Sequence, residues 1–365
     1  MRTTKMLISQ SALYENTRAI REQVPMGVKM MCVVKANAYG HSSVQAARAM
    51  LRAGADAFAV AIVEEAMELR RAGIAAPILI LGGGCRDSIM DAVAWDVSQA
   101  VYTPDMLAEL EAAAVVHGRR AKAHLKIDTG MSRIGVRGEA ALLSMLEAWK
   151  ACPHVDMEGV FTHFCAAESD REFTCLQDAR FRRAVEIVRA AGHAPIAHAA
   201  ATSAMLHPEF QYDMVRAGIG LYGTLIPELA GRLQYAQRLV CRPVRIESLE
   251  AGDTVGYGRT FTAPRNMRVM TLPVGYGDGY PRILSNRAEV LVNGRRAKLV
   301  GNVCMDMIMT DVSDIPGLSM DSEVVLMGSQ GGERITPDEL AELANTIPYE
   351  IMLGFSPRVQ CEWEE

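Results

Sequence analysis

Short apolar runs alternate with amphipathic stretches over the first two thirds of the chain. Eight runs have the length and composition of buried strands, and they lie at 30–34, 57–62, 77–81, 98–102, 121–127, 158–164, 195–200 and 214–222. The stretches between them are rich in Ala, Leu, Glu and Arg at helical spacing, as at 63–72, 104–116 and 140–151. Eight strands that alternate with helices predict a (β/α)8 barrel, with an open doubly wound sheet as the alternative.

The pattern changes after about residue 225. Helical periodicity fades, and short strand-like runs follow at 239–246, 256–261, 268–274, 288–292, 298–300, 308–311 and 322–326. The dipeptide Asn293-Gly294 is a strong signal for a type I′ hairpin, and Thr336 followed by Pro337 predicts the start of a late helix at 336–346. We therefore predict an α/β protein with a TIM-type barrel at 1–230 and a mainly β domain at 231–365.

Composition narrows the class of protein. The chain has 365 residues, of which half are hydrophobic, and a net charge of −5 without long charged runs, which argues against nucleic acid or a membrane as the main partner. No stretch has the apolar length of a signal peptide core or a membrane span, so we expect a cytoplasmic protein. The eight cysteines are scattered without a convincing metal spacing, which favours free thiols and no metal site.

One lysine follows the first apolar run directly. The segment reads Val33-Val34-Lys35-Ala36-Asn37-Ala38-Tyr39-Gly40-His41, and a helical pattern covers 42–52. A lysine at a buried strand end is costly unless it is paired or deprotonated, and an amine with a lowered pKa is the usual nucleophile for Schiff-base chemistry. The alternative is a lysine that extends to solvent along its aliphatic stem.

Polar residues stand at the ends of other predicted strands as well. They are Lys126, Asp128 and Arg133 in and after the fifth strand, Thr162 and His163 at the sixth, His198 and Thr202 at the seventh, and Arg216 with Gly218 at the eighth. Barrel active sites are built at these carboxyl ends, so the set favours the barrel over the open sheet. A glycine-rich backbone with a hydroxyl can also cradle a phosphate. Gly82-Gly83-Gly84 lacks a following Lys-Ser/Thr and is interpreted as a turn.

The segment around Lys35 resembles the cofactor-lysine motif of the alanine racemases, fold-type III enzymes that use pyridoxal 5′-phosphate (PLP), and the resemblance extends through nearly the whole chain. It implies that Lys35 holds PLP covalently, that Arg216 faces the pyridine nitrogen, and that Arg133 contacts the phenolic oxygen. The implied cofactor-binding residues are Lys35, Tyr39, Arg133, His163, His198, Thr202, Arg216, Gly218, Ile219 and Tyr349. Tyr39, Thr202, Tyr349 and the backbone of Gly218 and Ile219 would bind the phosphate.

The predicted second domain carries three further segments of the family. Gly256-Tyr257-Gly258 resembles its second catalytic segment, Gly275-Tyr276-Gly277-Asp278 begins its substrate-entry segment, and Cys304-Met305-Asp306 resembles the segment that meets the substrate carboxylate. The implied substrate-binding residues are Arg133, Met305, Asp306 and Tyr276. The resemblance also implies a homodimer in which the β domain of one subunit covers the barrel of the other.

The chemistry of racemisation suits this assignment. The Cα proton leaves one face and returns to the other, so two bases are wanted, and Lys35 and Tyr257 can serve one face each. The pKa of a tyrosine, about 10, is high for a base near neutrality. A basic neighbourhood that includes His163 and arginines could lower it. A guanidinium at position 216 only donates, which keeps the pyridine nitrogen unprotonated and disfavours transamination.

The chain departs from the family pattern at three positions. Ala201 stands where Asn is common, Ser132 where Gly is common, and Met307 where Gln is common, which leaves the breadth of accepted substrates open. The lysine matching Lys126 is often carbamylated in the family and paired with the residue matching Arg133, which we take as a hypothesis.

The expected function is therefore interconversion of L- and D-alanine for peptidoglycan. The alternatives are a serine or broad-specificity racemase on the same scaffold and, less favoured, a non-catalytic PLP carrier or a decarboxylase of the same fold type.

Overall fold

The computed structural model describes residues 3–224, 226–229 and 231–364. Eight parallel strands form the barrel, and they are β2 (Lys29–Val33), β3 (Ala57–Val60), β4 (Ile78–Ile80), β5 (Ser98–Val101), β6 (Ala121–Lys126), β7 (Val155–Phe161), β8 (Ile196–His198) and β9 (Met214–Ala217). Their order is β8-β7-β6-β5-β4-β3-β2-β9. Backbone hydrogen bonds from Asp213 to Ala197 (3.1 Å) and from Arg216 to Ala200 (2.9 Å) link the last two strands. The barrel prediction is confirmed.

Helices surround the barrel because their small and apolar faces pack on the strands. They are α1 (Gln10–Arg21), α2 (Lys35–Gly40), α3 (Ser43–Arg52), α4 (Val63–Arg71), α5 (Arg86–Ala94), α6 (Pro104–His117), α7 (Glu139–Lys150) and α8 (Arg171–Ala190), with α9 (Pro337–Ala344) and α10 (Pro348–Leu353) near the C-terminal end. The Thr336 hydroxyl accepts from the amide of Glu339 at 3.0 Å, which confirms the predicted start of α9. None of the helices in the described ranges is long and apolar enough to cross a membrane.

The second domain is mainly β, as predicted. Its strands are β10 (Gln237–Cys241), β11 (Arg245–Leu249), β12 (Thr254–Val255), β13 (Phe261–Thr262), β14 (Met267–Leu272), β15 (Glu289–Val292), β16 (Arg295–Lys298), β17 (Ile308–Asp311), β18 (Val324–Gln330), β19 (Glu333–Ile335) and β20 (Gln360–Glu364). The largest sheet has the order β16-β15-β18-β10-β1-β20, with β19 on β18.

Strand β1 (Lys5–Ser9) belongs to this second sheet. It pairs antiparallel with β10 and parallel with β20, so residues 5–9, which we assigned to the barrel domain, are hydrogen-bonded within the other domain. Pairing between strands more than 200 residues apart leaves no local signal in the sequence. The division at 230/231 itself stays a prediction, and residue 230 lies outside the described residues.

Two predicted strands of this domain were wrong, and the predicted hairpin is confirmed. The run 239–246 divides into β10 and β11, and the run 256–261 is not one strand, because Gly256, Gly258 and Arg259 have φ of 69°, 72° and 50°. These angles are incompatible with an extended strand. The Asn293-Gly294 hairpin is confirmed, since both residues have positive φ and Val292 pairs with Arg295 across a two-residue turn.

Candidate active site

A cavity of about 360 Å³ opens at the carboxyl ends of the barrel strands. Nine of the ten predicted cofactor-binding residues line it: Lys35, Tyr39, Arg133, His163, Thr202, Arg216, Gly218, Ile219 and Tyr349. The tenth, His198, is buried at the end of β8 and contacts Arg216. The structure therefore brings the predicted cofactor set together, although the role of each residue stays a prediction.

An unusual left-handed turn positions Lys35. Residues 36–39 all have φ between 51° and 53°, a conformation that costs roughly 1–2 kcal/mol per residue outside glycine. Glu65 of α4 supports the turn, because its carboxylate accepts from the amide of Ala36 at 2.5 Å and from that of Ala61 at 2.7 Å. Burial, followed by the charge of Arg133, lowers the pKa of the Lys35 amine. A larger fraction of neutral amine favours nucleophilic attack on an aldehyde.

Hydroxyl groups converge on the backbone after β9. The amide of Gly218 donates to the Thr202 hydroxyl at 2.9 Å. A Cβ added at Gly218 would lie 3.5 Å from that hydroxyl and 3.7 Å from the Tyr39 hydroxyl, so both reach the same backbone. The Tyr349 ring lies 5.6 Å from that of Tyr39. Burial raises the pKa of Tyr39, and it raises that of Tyr349 to about 12, so both phenols remain hydrogen-bond donors at neutral pH, as a bound phosphate requires.

Arg216 lies at the back of the cavity and is buried. Nη1 donates to Nδ1 of His198 at 2.9 Å, and Nη2 donates to the carbonyls of Thr162 and Ala199 at 2.8 Å each, with His163 Nδ1 at 3.2 Å. Burial lowers the pKa of the guanidinium to about 9, so it is still charged at neutral pH. All its hydrogen bonds to described residues use the two terminal nitrogens, which leaves Nε–H for a molecule in the cavity.

His163 stays neutral in this surrounding. Burial and then the charge of Arg216 lower its pKa to about 2, with smaller effects from Lys126, Arg133 and Lys35. A neutral imidazole with Nδ1 toward Arg216 can accept a hydrogen bond but adds no positive charge. His163 therefore adds no charge to the basic neighbourhood expected around Tyr257, and within one chain the two residues line different cavities.

Lys126 is buried at the end of β6. Its amine lies 4.6 Å from the Phe161 ring, and no carboxylate of the described chain lies within hydrogen-bond distance of it. Burial, then the charges of Arg216 and Arg133, lower its pKa well below the usual range. A lowered pKa increases the neutral fraction of the amine, which is the form that reacts with CO₂, and two nearby guanidinium groups would stabilise the resulting carbamate anion.

The second-domain residues form a separate group. Tyr257, Met305 and Asp306 line another cavity, of about 640 Å³, which shares no residue with the first. Tyr257 is 75% exposed, and Met305 and Tyr276 are exposed as well. Within one chain, the structure does not bring Tyr257 to the cavity that contains Lys35.

Three supporting residues were missed in the sequence. Arg358 donates to Asp306 at 2.6 Å and lies 3.4 Å from the buried carboxylate of Asp278, which accepts from the Gly275 amide at 2.9 Å. Asn302 donates to the carbonyl of Tyr257 at 2.8 Å. Glu65 is the third. Each acts on a residue at least 25 positions away, so only the fold reveals it.

The departures from the family pattern lie at informative places. Ala201 lines the first cavity, and Met307 lines the second beside Met305 and Met309. Ser132 has φ of 56°, the left-handed region where glycine is more usual, and its amide donates to Asp128 at 3.0 Å. The side chains at 201 and 307 thus form part of cavity walls. At position 132 the departure concerns backbone conformation instead, because Ser132 adopts a positive φ.

Comparison with known proteins gives one consistent result. The family model described as the N-terminal domain of alanine racemase matches residues 8–225, and the model described as the C-terminal domain matches residues 236–363. An alanine racemase of Symbiobacterium thermophilum is 44% identical over 365 residues, which cover 98% of this chain and 96% of the relative. An "Alanine racemase 2" of Bacillus subtilis is 40% identical, with coverage of 96% and 92%.

Comparison with solved structures gives the same family. An alanine racemase from Bacillus anthracis with bound L-Ala-P superposes with a TM-score of 0.92 at 35% identity, and the match covers 100% of this chain and 96% of that one. The structure covers the barrel and the second domain alike, so the likeness is not confined to one of them.

Proposed function

The chain belongs to the alanine racemase family, and from this premise we propose that it interconverts L-alanine and D-alanine with PLP as cofactor, supplying D-alanine for peptidoglycan in the cytoplasm. The observation that carries the proposal is the cavity in which Lys35, the hydroxyls of Tyr39 and Thr202, and Arg216 come together. Alanine is the proposed substrate because the similar proteins are alanine racemases.

The residues present fit this cofactor. The Lys35 amine, with its lowered pKa, suits covalent attachment to an aldehyde, and the Gly218 backbone with the hydroxyls of Tyr39, Thr202 and Tyr349 suits a phosphate. When bound, PLP supplies an electron-withdrawing ring that stabilises negative charge at the substrate Cα. Arg216, whose Nε–H is not used by its described partners, would donate to the ring nitrogen, which would then remain unprotonated.

Proton transfer falls to two groups of this chain. Lys35, at the floor of the cavity, takes or returns the proton on one face of the substrate. The Tyr257 hydroxyl serves the opposite face, and Asp306 and Met305 lie beside it, where the substrate carboxylate would enter. Arg133, which lines the first cavity, would hold the substrate or the cofactor's phenolic oxygen.

Because Tyr257 and Lys35 line different cavities of one chain, we propose a homodimer in which each site combines Lys35 of one subunit with Tyr257 of the other. Support comes from the exposure of Tyr257, Met305 and Tyr276 on one monomer. A mixture of Lys35→Ala and Tyr257→Phe subunits should then recover about a quarter of the wild-type sites, because half of the dimers are mixed and half of their sites are intact.

The mixing experiment is read by chiral assay after the two variants have exchanged subunits, with light scattering to show that both are dimers. Each variant incubated alone is the control. Two stable dimers that exchange subunits without recovery of activity would contradict a shared site.

Lys126 gives a separate prediction. If its neutral amine has reacted with CO₂, intact mass spectrometry under non-acidic conditions should show an adduct of one carboxyl group that is lost on acidification. Lys126→Ala should remove the adduct and weaken the placement of Arg133. An adduct-free spectrum of the native protein in bicarbonate buffer would contradict the carbamate.

Substrate preference tests the proposal against its closest alternative. The kcat/KM for L-alanine and for L-serine is measured separately by chiral chromatography, and we expect alanine to be the faster substrate. Ala201 and Met307 in the cavity walls are the residues through which a broader preference would arise. Preference for serine would favour a serine racemase, and binding of PLP without turnover of either would favour a carrier.

A further inference from the structure

A row of polar side chains crosses the barrel interior below Arg216. Nη1 of Arg216 donates to Nδ1 of His198 at 2.9 Å, and Nε2 of His198 lies 2.9 Å from Nδ1 of His124. Nε2 of His124 in turn lies 3.1 Å from Oε2 of Glu158, to which Ser98 adds a short hydrogen bond. Neither His124 nor Glu158 lines the active-site cavity, and the proposed reaction does not use them.

The two ends of the row determine every proton in it. A guanidinium can only donate, and a carboxylate can only accept. His198 must therefore present an unprotonated Nδ1 to Arg216 and carry its proton on Nε2. His124 must then accept on Nδ1 and donate from Nε2 to Glu158. This is the single arrangement of protons on the two rings that satisfies all three hydrogen bonds.

The electrostatics agree with that arrangement. Burial, then the charge of Arg216, keep the pKa of His198 well below its usual value, so the ring is neutral. The hydrogen bond from His124 is the main cause that lowers the pKa of Glu158, to about 2, so the carboxylate is charged at neutral pH. The groups that face Glu158 are Ser98 of β5 and His124 and Lys122 of β6.

The backbone is shaped around the row. The pairing of β6 with β7 shifts by one residue at His124, so that Glu158 is the extra residue of a bulge. A bulge re-aims a side chain, and here the carboxylate contacts His124 inside the barrel. A Cβ at Gly159 would lie 2.1 Å from Nδ1 of His124, so only glycine leaves room for the imidazole. Phe161 stacks on His198 with centroids 4.9 Å apart and planes at 3°.

The row ends at the opposite mouth of the barrel. Ser98, His124 and Glu158 line a cavity of about 240 Å³ at the amino ends of the strands, with Asp56 in the same wall. The half-buried carboxylate there balances the buried guanidinium at the other end through two neutral rings. A buried carboxylate that fixes the tautomer of a histidine is an established way to orient the group on its far side.

We propose that Glu158, His124 and His198 are positioning residues that lock His198 in the Nε2–H tautomer and so hold Arg216 with its Nε–H directed at the cofactor ring. We call Glu158, His124 and His198 the relay. The inference rests on the proposed function, because it assigns the relay a role in keeping the ring nitrogen unprotonated. With His198 in the other tautomer, an N–H group would face the guanidinium and the 2.9 Å hydrogen bond would be lost. Arg216 would then be held only through Nη2, by the carbonyls of Thr162 and Ala199 and by His163, and its Nη1 side would be free to shift.

The first test is read on the wild-type protein, and substitutions serve only to assign its signals. Histidine side-chain ¹⁵N NMR of the wild-type holoenzyme should show His198 and His124 as neutral Nε2–H tautomers, with signals assigned from single His→Gln variants. A protonated Nδ1 on either ring, or a doubly protonated ring, would overturn the relay. This result is independent of whether the protein turns over alanine, so it separates failure of this inference from failure of the proposed function.

The second test removes the charge at the far end. Glu158→Gln should lower kcat for alanine roughly ten- to hundredfold with little change in KM, because Arg216 loses the Nη1 hydrogen bond that helps to set its direction. It should also move the ring-nitrogen signal of ¹⁵N-labelled PLP and raise the pyruvate formed per turnover by transamination. Glu158→Asp should partly restore all three.

Asp56→Asn is the matched control. Asp56 is a half-exposed carboxylate in the same cavity wall that accepts from the Met30 amide at 2.7 Å and pairs with Arg21 at 3.4 Å. Within the described part of the chain it forms no hydrogen bond or ion pair with the relay. It should leave the ring-nitrogen signal and the pyruvate yield unchanged. If Glu158→Gln and Asp56→Asn behave alike in both readouts, the relay does not position Arg216.

Discussion

Replacing Lys35 with Ala should reduce alanine racemisation by at least about a thousandfold, since the change removes both the point of covalent attachment and one of the two bases. No nearby group can replace it in both roles. The other lysine that lines the cavity is Lys126, which lies at the end of β6 and so would approach a bound molecule from another side. The rate is followed by chiral assay, and borohydride reduction of the wild-type holoenzyme should place the cofactor mass on the peptide that contains Lys35.

Lys29→Ala provides the control for this substitution. Lys29 begins the same strand β2 and is exposed at the opposite end of the barrel. We expect it to leave both activity and labelling unchanged. Labelling of Lys126 in the wild-type protein, or a Lys35→Ala variant that keeps a tenth of the activity, would contradict the assignment.

Replacing Tyr257 with Phe should lower kcat by about 10²- to 10⁴-fold, the usual contribution of a general acid or base. The ring is retained, so the change removes only the hydroxyl. Lys35 still serves its own face of the substrate. We therefore expect exchange of the Cα proton with D₂O to persist for one enantiomer of alanine and to fall for the other.

Proton NMR of D- and L-alanine in separate D₂O incubations measures this asymmetry. Tyr14→Phe, a change of the same kind on α1, should leave both exchange rates as in the wild type. Equal, wild-type exchange of both enantiomers by Tyr257→Phe would show that another group serves the second face.

Much of the barrel could be predicted because its signals are local. All eight predicted strands contain the observed ones or overlap them, since parallel barrel strands are buried on both faces and appear as short apolar runs between amphipathic helices. Barrel active sites are built at the carboxyl ends of the strands, so the polar residues that end several of these runs are candidates for one site. The sequence therefore predicts Lys35, Thr202 and Arg216 at one mouth of the barrel, where all three line the same cavity.

Features that depend on distant pairing could not be predicted. β1 lies in the second sheet because it pairs with β10 and β20, and Arg358 supports Asp306 from 52 positions away. The segment 256–261 is predicted as a strand from Tyr257, Thr260 and Phe261, but Gly256 and Gly258 adopt positive φ and turn the chain. The pattern predicts an ordinary strand from Glu158, whereas β7 begins at Val155 and Glu158 is the extra residue of its bulge. A carboxylate within an apolar barrel run is the local signal for the relay.

The central claim is that this protein racemises alanine with one base on each face of the substrate. Its most direct test is proton NMR of L-alanine incubated with the PLP-loaded wild-type enzyme in D₂O, with a chiral assay on the same samples. The account predicts deuterium at Cα together with equal amounts of D- and L-alanine at equilibrium. Deuterium at Cα with full retention of the L configuration would contradict it, because a single base would then suffice and Tyr257 would have no part in the reaction.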